Sequence, residues 1–447
     1  MTPQGKPPFP QQTAITAGSP RWFLMLLRPG IGLKRWLALA ALGLTIFGLG
    51  ASFALSVSLS GNILAIGRAV TFSDTLPNIW RGVIFTGVGS AIFLIAGFMF
   101  YRRVAFAFSY VPGNPTILKN LSRHLDRSRG PKLVVIGGGT GLSTLLRGVK
   151  HYTEDITAIV TVADDGGSSG RLRSELGISP PGDARQCLIA LSESEPLMEQ
   201  VLSYRFRSDG ELHGHSMGNL LLAALTDTYG NFHEALQAMA KLLAVKGRVV
   251  PATNYPDLKI MAETKSGETL DGETAIGHAG EPLTKLWIEP EDCEVNPAAT
   301  QAILEADAIV IGPGSLYTSV LPNFLVPGIA EATRTSRAVK IFVCNVATQH
   351  GETDGLSGPE HMETFVRHSG VQPTHFLVNN NALPIPKDSQ QAAISAERPT
   401  GFAGEIAMKD LVDAAMPTRH DPEKLASALM SIARRGARSS RTTANTD

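Results

Sequence analysis

Residues 132–141 read Lys-Leu-Val-Val-Ile-Gly-Gly-Gly-Thr-Gly, and residues 159–171 read Ile-Val-Thr-Val-Ala-Asp-Asp-Gly-Gly-Ser-Ser-Gly-Arg. Each is a short apolar, β-branched run that breaks into glycines. That is the pattern of a buried parallel strand meeting a ligand at its carboxyl end. The loops stand about one βαβ unit apart, so they are expected side by side at one edge of a sheet. Residues 142–151 predict a helix with Leu142, Leu145, Leu146 and Val149 on one face. Its free N–H groups and positive dipole end would face the loop Gly137, Gly138, Gly139, Thr140 and Gly141, an arrangement suited to phosphate. The third glycine of a dinucleotide-binding G-x-G-x-x-G would fall at Leu142, so the loop is not that fingerprint.

The second loop carries different chemistry. Asp164 and Asp165 close a strand, where a carboxylate can bind a ribose hydroxyl or, through water, a magnesium ion. Ser168, Ser169 and the Gly170 N–H add neutral donors, and Arg171 can fork onto a phosphate. Residues 180–187, Pro-Pro-Gly-Asp-Ala-Arg-Gln-Cys, read as a turn opening a helix. Asp183 is expected to cap it, with Arg185 in its first turn near any bound anion. His213 and His215 precede an apolar helix at 220–225 and lack an evident third metal ligand. Asn219 beside them supplies an amide that can read a base or a sugar.

Residues 308–311 form another buried strand and run into Gly312, Pro313, Gly314 and Ser315, with Tyr317 just beyond. The strand at 341–344 ends at Asn345, and that at 376–378 ends at Asn379. Strands that repeatedly end in Gly, Asp, Asn or Ser predict an open α/β sheet with its ligand crevice at the carboxyl edge. No Ser-His-Asp order, HExxH or Walker A sequence is present. With no evident nucleophile or base, Asp164 and Asp165, positioning magnesium, are the candidate catalytic groups. Cys187, Cys293 and Cys344 are scattered and form no C-x-x-C, which points to free thiols.

Charge divides the 447-residue chain. Residues 1–130 hold 13 Lys/Arg and 2 Asp/Glu; the remainder hold 27 and 38. A basic leader on an acidic body suggests contact with a membrane. Uncharged stretches at about 36–59 and 83–101 approach the roughly 20 residues that cross a bilayer core. Basic residues flank their outer ends, which by the positive-inside rule puts both termini and the main domain in the cytoplasm. The expected organisation is a disordered basic segment at 1–35, a transmembrane hairpin at 36–101 and a basic juxtamembrane linker at 102–130. A nucleotide-binding domain at 131–436 and a disordered tail at 437–447 follow. Within the linker, residues 116–129 read as a basic amphipathic helix.

Taken together, GGGTGLSTLLRGVK, VTVADDGGSSGRLR, PPGDARQC, HGHSMGNLLLAAL, VVPAT, GPGSLYTSVLPN and VCNVATQHGETD resemble the YvcK/CofD-type family, also called gluconeogenesis factors. The resemblance covers about 131–435, with the hairpin as an addition outside it. It implies a Rossmann-like three-layer α/β/α sandwich. One branch of that family transfers a phospholactyl group from a guanosine-diphospho donor, with magnesium. The other binds UDP-N-acetylglucosamine, is tied to cell shape, cell-wall synthesis and gluconeogenic growth, and has no settled activity. The 164–170 and 312–317 loops match the second branch. By motif match, Gly137 to Gly141, Asp164, Asp165, Asn219 and Gly312 to Ser315 border the nucleotide. The expectation is therefore a membrane-tethered regulator that binds a UDP-sugar as a homo-oligomer near cell-wall enzymes, with no nucleic acid. A phospholactyl-type transferase is the alternative. An NAD-binding oxidoreductase is the third reading, and the absent third glycine weighs against it.

Overall fold

A computed structural model describes residues 33–54, 78–108, 130–207, 209–386 and 389–443. The chain separates into two units, residues 1–125 and 126–447.

In the first unit, α1 (Leu33–Ala54) and α2 (Asn78–Phe108) pack together. Gly43 meets Phe93 while Gly50 meets Thr86, so the helices run antiparallel. Glycine permits this contact: a Cβ on Gly50 would lie 2.3 Å from the Thr86 amide nitrogen, and one on Gly89 would lie 2.4 Å from that of Phe47. A Cβ on Gly48, in the same helix, would meet nothing within 4 Å. Leu44, Val83, Leu94 and Phe98 are exposed. Ile79–Arg102 is long and apolar enough to cross a membrane, whereas the apolar stretch of α1, Ala38–Ser52, is shorter. Of the two expected spans, the second therefore meets the length criterion among the described residues. Helix α1 starts at Leu33, inside the segment expected to be disordered, and α2 runs seven residues into the expected linker. Residues 55–59 of the first span, the 116–129 helix and residues 444–447 lie outside the described residues.

The second unit is built on ten strands: β1 (Leu133–Gly137), β2 (Ile156–Val160), β3 (Arg248–Pro251), β4 (Lys259–Thr264), β5 (Thr269–Asp271), β6 (Leu283–Glu289), β7 (Ala308–Ile311), β8 (Val339–Val343), β9 (His375–Asn379) and β10 (Glu405–Lys409). Seven of them form one sheet in the order β10-β9-β8-β7-β1-β2-β3, parallel at every pairing. Strands β5, β4 and β6 form a separate antiparallel sheet inserted between β3 and β7.

The large sheet is covered by helices. Leu142, Leu145, Leu146 and Val149 of the helix Gly139–Val149 are fully buried, as their spacing required. That helix packs on Gly182–Leu191 and on Pro422–Thr443, while Leu321–Leu325 packs on β1 and Gly358–Ser369. This is the open α/β arrangement expected from the strand pattern. The helix ending at Thr443 replaces most of the tail expected to be disordered from residue 437. All three cysteines are free and buried.

From β1 the chain winds outward through β2 and β3; from β7 it winds the other way through β8, β9 and β10. The reversal falls between β1 and β7, whose carboxyl ends carry two of the glycine loops.

A Cβ on Gly148 would lie 2.0 Å from the Pro422 carbonyl oxygen and 2.7 Å from the Ala426 Cβ. Gly148→Val should therefore force the two helices apart and lower unfolding stability by about 1–3 kcal/mol. Denaturant titration monitored by circular dichroism measures it.

Candidate functional site

Where β1 and β7 end, a cleft of about 380 Å³ opens. Gly138, Gly139, Thr140 and Gly141 form one wall, Pro313, Gly314 and Ser315 another, and Asn345 reaches in after β8. The loops touch: a Cβ on Gly141 would lie 2.7 Å from the Pro313 carbonyl oxygen. Gly139 stands at φ +63°, a left-handed conformation that opens the helix behind it. The Asn345 amide clamps the second loop, donating from Nδ2 to the Gly314 carbonyl at 2.8 Å and accepting the Gly314 N–H at 3.2 Å. Below, Asn323 donates to the Gly137 carbonyl at 3.2 Å. Gly137 and Gly312 thus support the loops and do not line the cleft.

Carboxylates crowd beneath the glycines. Asp183 is not the helix cap expected of it: the cap position is Pro181, with no side-chain bond. It accepts the Gly139 N–H instead, and its Oδ2 would lie 2.2 Å from a Cβ on Gly138. Part of its surface still reaches solvent, yet protein atoms surround the carboxyl. Burial, then the neighbouring Asp164, pushes its pKa up to about 7. Asp164 accepts the Gly166 N–H at 2.8 Å and a bond from Ser169, and burial raises its pKa as well. Two further carboxylates come from distant sequence. Glu273, from the antiparallel insertion, lines the cleft and bonds to Thr318. Burial, with Asp164, Asp183 and Glu352 nearby, pushes it up to about 9. Glu352 accepts from Ser315 at 2.5 Å and from Thr318 at 2.9 Å, and burial raises it too.

Asp164 and Asp165, paired in sequence, point to different partners. Asp165 Oδ1 accepts the Thr274 N–H at 3.0 Å and its hydroxyl at 2.7 Å, fastening the helix Glu273–Ile276. Among the described residues, no three His, Cys, Asp or Glu side chains are arranged to hold a metal ion. Asp164 thus faces the carboxylate cluster while Asp165 faces the antiparallel insertion.

The remaining expected residues sit apart from the cleft. Ser168, Asn219 and Arg185 form a buried chain: Asn219 donates to the Ser168 hydroxyl at 3.0 Å and accepts from Arg185 Nε at 2.8 Å. His215 Nδ1 lies 3.0 Å from the same hydroxyl, and Arg185 Nη1 donates to Ser203. Arg171 donates to the His213 carbonyl, holding that loop. Gly170 lies within the helix Gly167–Leu176. Tyr317 is buried edge-on against His368.

Sequence reasoning missed Glu273, Glu352, Thr144, Ser319, Gln349, Gln391, Thr418, Arg419 and His420. Thr144 and Ser319 lie in the helical turns behind the two glycine loops and Glu273 comes from the antiparallel insertion, while the rest lie in loops after β8, β9 and β10 and are assembled by the return of those strands to the same edge. His420 is buried with Nε2 3.2 Å from the Cys344 carbonyl, and burial lowers its pKa to about 4. Arg419 is exposed at the rim and has no ion pair among the described residues. Among the described residues it is the one cation lining the cleft.

A parallel sheet covered by helices, with a crevice at its winding reversal walled by glycine loops, defines an open α/β protein. The family model described as 2-phospho-L-lactate transferase CofD matches residues 133–430. This chain belongs to that YvcK/CofD-type family. The gluconeogenesis factor of Bacillus subtilis is 44% identical over 312 residues, covering 68% of this chain and 98% of the relative. A relative from Nostoc sp. is 40% identical over 426 residues, 92% of each chain. Residues 131–447 make up less than three-quarters of this chain. That similarity therefore reaches into the N-terminal segment expected to lie outside it. A crystal structure of a UPF0052-family protein from Bacillus halodurans superposes with a TM-score of 0.64 at 43% identity, covering 67% of this chain and 99% of that one.

The carboxylate cluster sets a pH dependence. Below Asp183's ordinary value of 3.8 the carboxyl is neutral whether folded or unfolded, so its burial penalty is absent; as pH rises through about 7 that penalty appears and stability falls. Asp183→Asn should flatten this loss. Its melting temperature should exceed that of the parent at pH 8, by the equivalent of roughly 4 kcal/mol, and converge with it near pH 4. Calorimetric scans between those pH values test the difference.

Proposed function

We propose that this chain is a membrane-tethered gluconeogenesis factor that binds UDP-N-acetylglucosamine and passes its level to cell-wall synthesis, cell shape and carbon metabolism. The observation that carries this reading is the glycine-walled cleft with one unpaired cation, Arg419, at its rim. Main-chain N–H groups and a guanidinium are what a diphosphate needs. The cleft's volume falls within the range of small-molecule sites. Among the described lining residues no serine or threonine hydroxyl is hydrogen-bonded to a histidine, and His420 is held neutral against a carbonyl. Binding without turnover fits such a lining. Ile79–Arg102, long and apolar enough to span a bilayer, supports the tether, with the soluble unit on the cytoplasmic side.

The name of the matching family model favours a second reading: a magnesium-dependent 2-phospho-L-lactate transferase-like enzyme using a nucleoside-diphospho donor.

Calorimetry on the detergent-solubilised full chain separates the two. UDP-N-acetylglucosamine should bind and be recovered unchanged, while GDP with magnesium should neither bind tightly nor be consumed. Arg419→Ala should weaken UDP-N-acetylglucosamine binding about tenfold, the scale of one charge-assisted hydrogen bond. Gly141→Ala should weaken it too, by pushing the two loops apart. An absence of heat with every UDP-sugar rejects the sensor; magnesium-dependent consumption of GDP or its conjugates moves the case to the transferase.

A further inference from the structure

A second cavity, of about 760 Å³, lies between the helices Gly167–Leu176 and Met217–Tyr229. It is separate from the cleft described above and shares none of that cleft's lining residues. Ile178, Ala223 and Phe232 supply an apolar side, and Ser179, Asp227 and Asn254 a polar one.

Three observations give the cavity a chemical preference. Both helices end at it, since their C-terminal caps, Gly177 and Gly230, line the wall. Helix C-termini carry partial negative charge, and no basic residue stands in the last turn of Met217–Tyr229. In the other helix the last-turn Arg173 is committed to Asp257 at 3.0 Å. Asp227, exposed on the lining, has no ion pair among the described residues. Ser179, only 1% exposed, has an Oγ with no hydrogen-bond partner, so a buried polar atom here awaits one. The cavity thus presents negative potential beside an apolar wall, with an unsatisfied hydroxyl buried in its lining residue Ser179.

The rim says what size of ligand this suits. Leu176 on the lining and Tyr229, adjacent to Gly230, leave 57% and 54% of their surface in water. An apolar surface continuing past the mouth fits a chain segment better than a small free amine. We propose that this cavity docks a partner protein through an arginine or lysine flanked by apolar residues: the cation enters toward Asp227 and the two helix ends, and its apolar neighbours cover Leu176 and Tyr229. This surface lies at the far ends of two helices whose near ends are tied by the Asn219–Ser168 hydrogen bond. It stands about 15 Å along the helix axis from the Asp164–Gly166 turn.

The probe is acetyl-Leu-Arg-Leu-amide, compared with its Gln and Glu analogues and with argininamide, by ligand-observed NMR on the full chain in detergent. The Arg peptide should bind more tightly than the Gln peptide by about two- to fivefold, the scale of one exposed charge pair, and the Glu peptide should bind weakest. Asp227→Asn should shrink the Arg-over-Gln preference. Ala224→Trp, at an exposed helical position on the lining, should block the peptide; circular dichroism confirms that both variants fold. Equal binding of the three peptides, argininamide binding as tightly as the Arg peptide, or peptide binding unaltered in both variants overturns the proposal.

Discussion

Between β1 and β7 the connections of the sheet change direction, and no helix can bridge the gap this leaves at the carboxyl ends of the two strands. The glycine loops, the Asn345 clamp and the buried carboxylates all take their positions from that gap. Parallel strands covered on both faces must be apolar along their length, which is why β1, β2 and β7 are almost wholly aliphatic. Polar chemistry is then left to the loops, and at the reversal the loops face one another.

The crowding there has an electrostatic price. Asp164, Asp183, Glu273 and Glu352 come from four separate segments, and burial disfavours the charged form of each. Charges that close cannot all ionise, so part of the cluster holds protons at neutral pH and can donate hydrogen bonds as well as accept them. Asp165 accepts from Thr274 instead, a bond that fastens the antiparallel insertion that delivers Glu273. One dipeptide thereby serves two ends: its first carboxylate shapes the floor of the site and its second anchors a separate sheet.

Local pattern was legible in the sequence where local physics decides. The β-branched runs became strands, and the Leu142–Val149 spacing became a buried helical face. The glycine loops at 137–141 and 312–315 came together because the order of winding required it. What failed depended on contacts across the chain. Asp183 looked like a cap, yet it faces a loop 44 residues earlier in the chain. Tyr317 follows a glycine turn expected to meet the ligand, but a turn of π-helix buries it against His368. Ser168, Arg185 and Asn219 are polar and near the site in sequence; burial spends them on each other. Glu273 and Glu352 carried no signal, because an isolated glutamate in a loop reads as solvated until tertiary structure encloses it.

The glycines at 138 and 141 have a consequence for how this protein can diverge. Their missing side chains are replaced by atoms of Asp183 and Pro313 at distances no methyl group tolerates. A floor of this kind has no side chain to exchange. Any change of ligand preference between descendants of this sequence must be written at the rim, in Gln349, Gln391, Thr418 and Arg419. These residues come from loops late in the chain, where substitution leaves the sheet untouched.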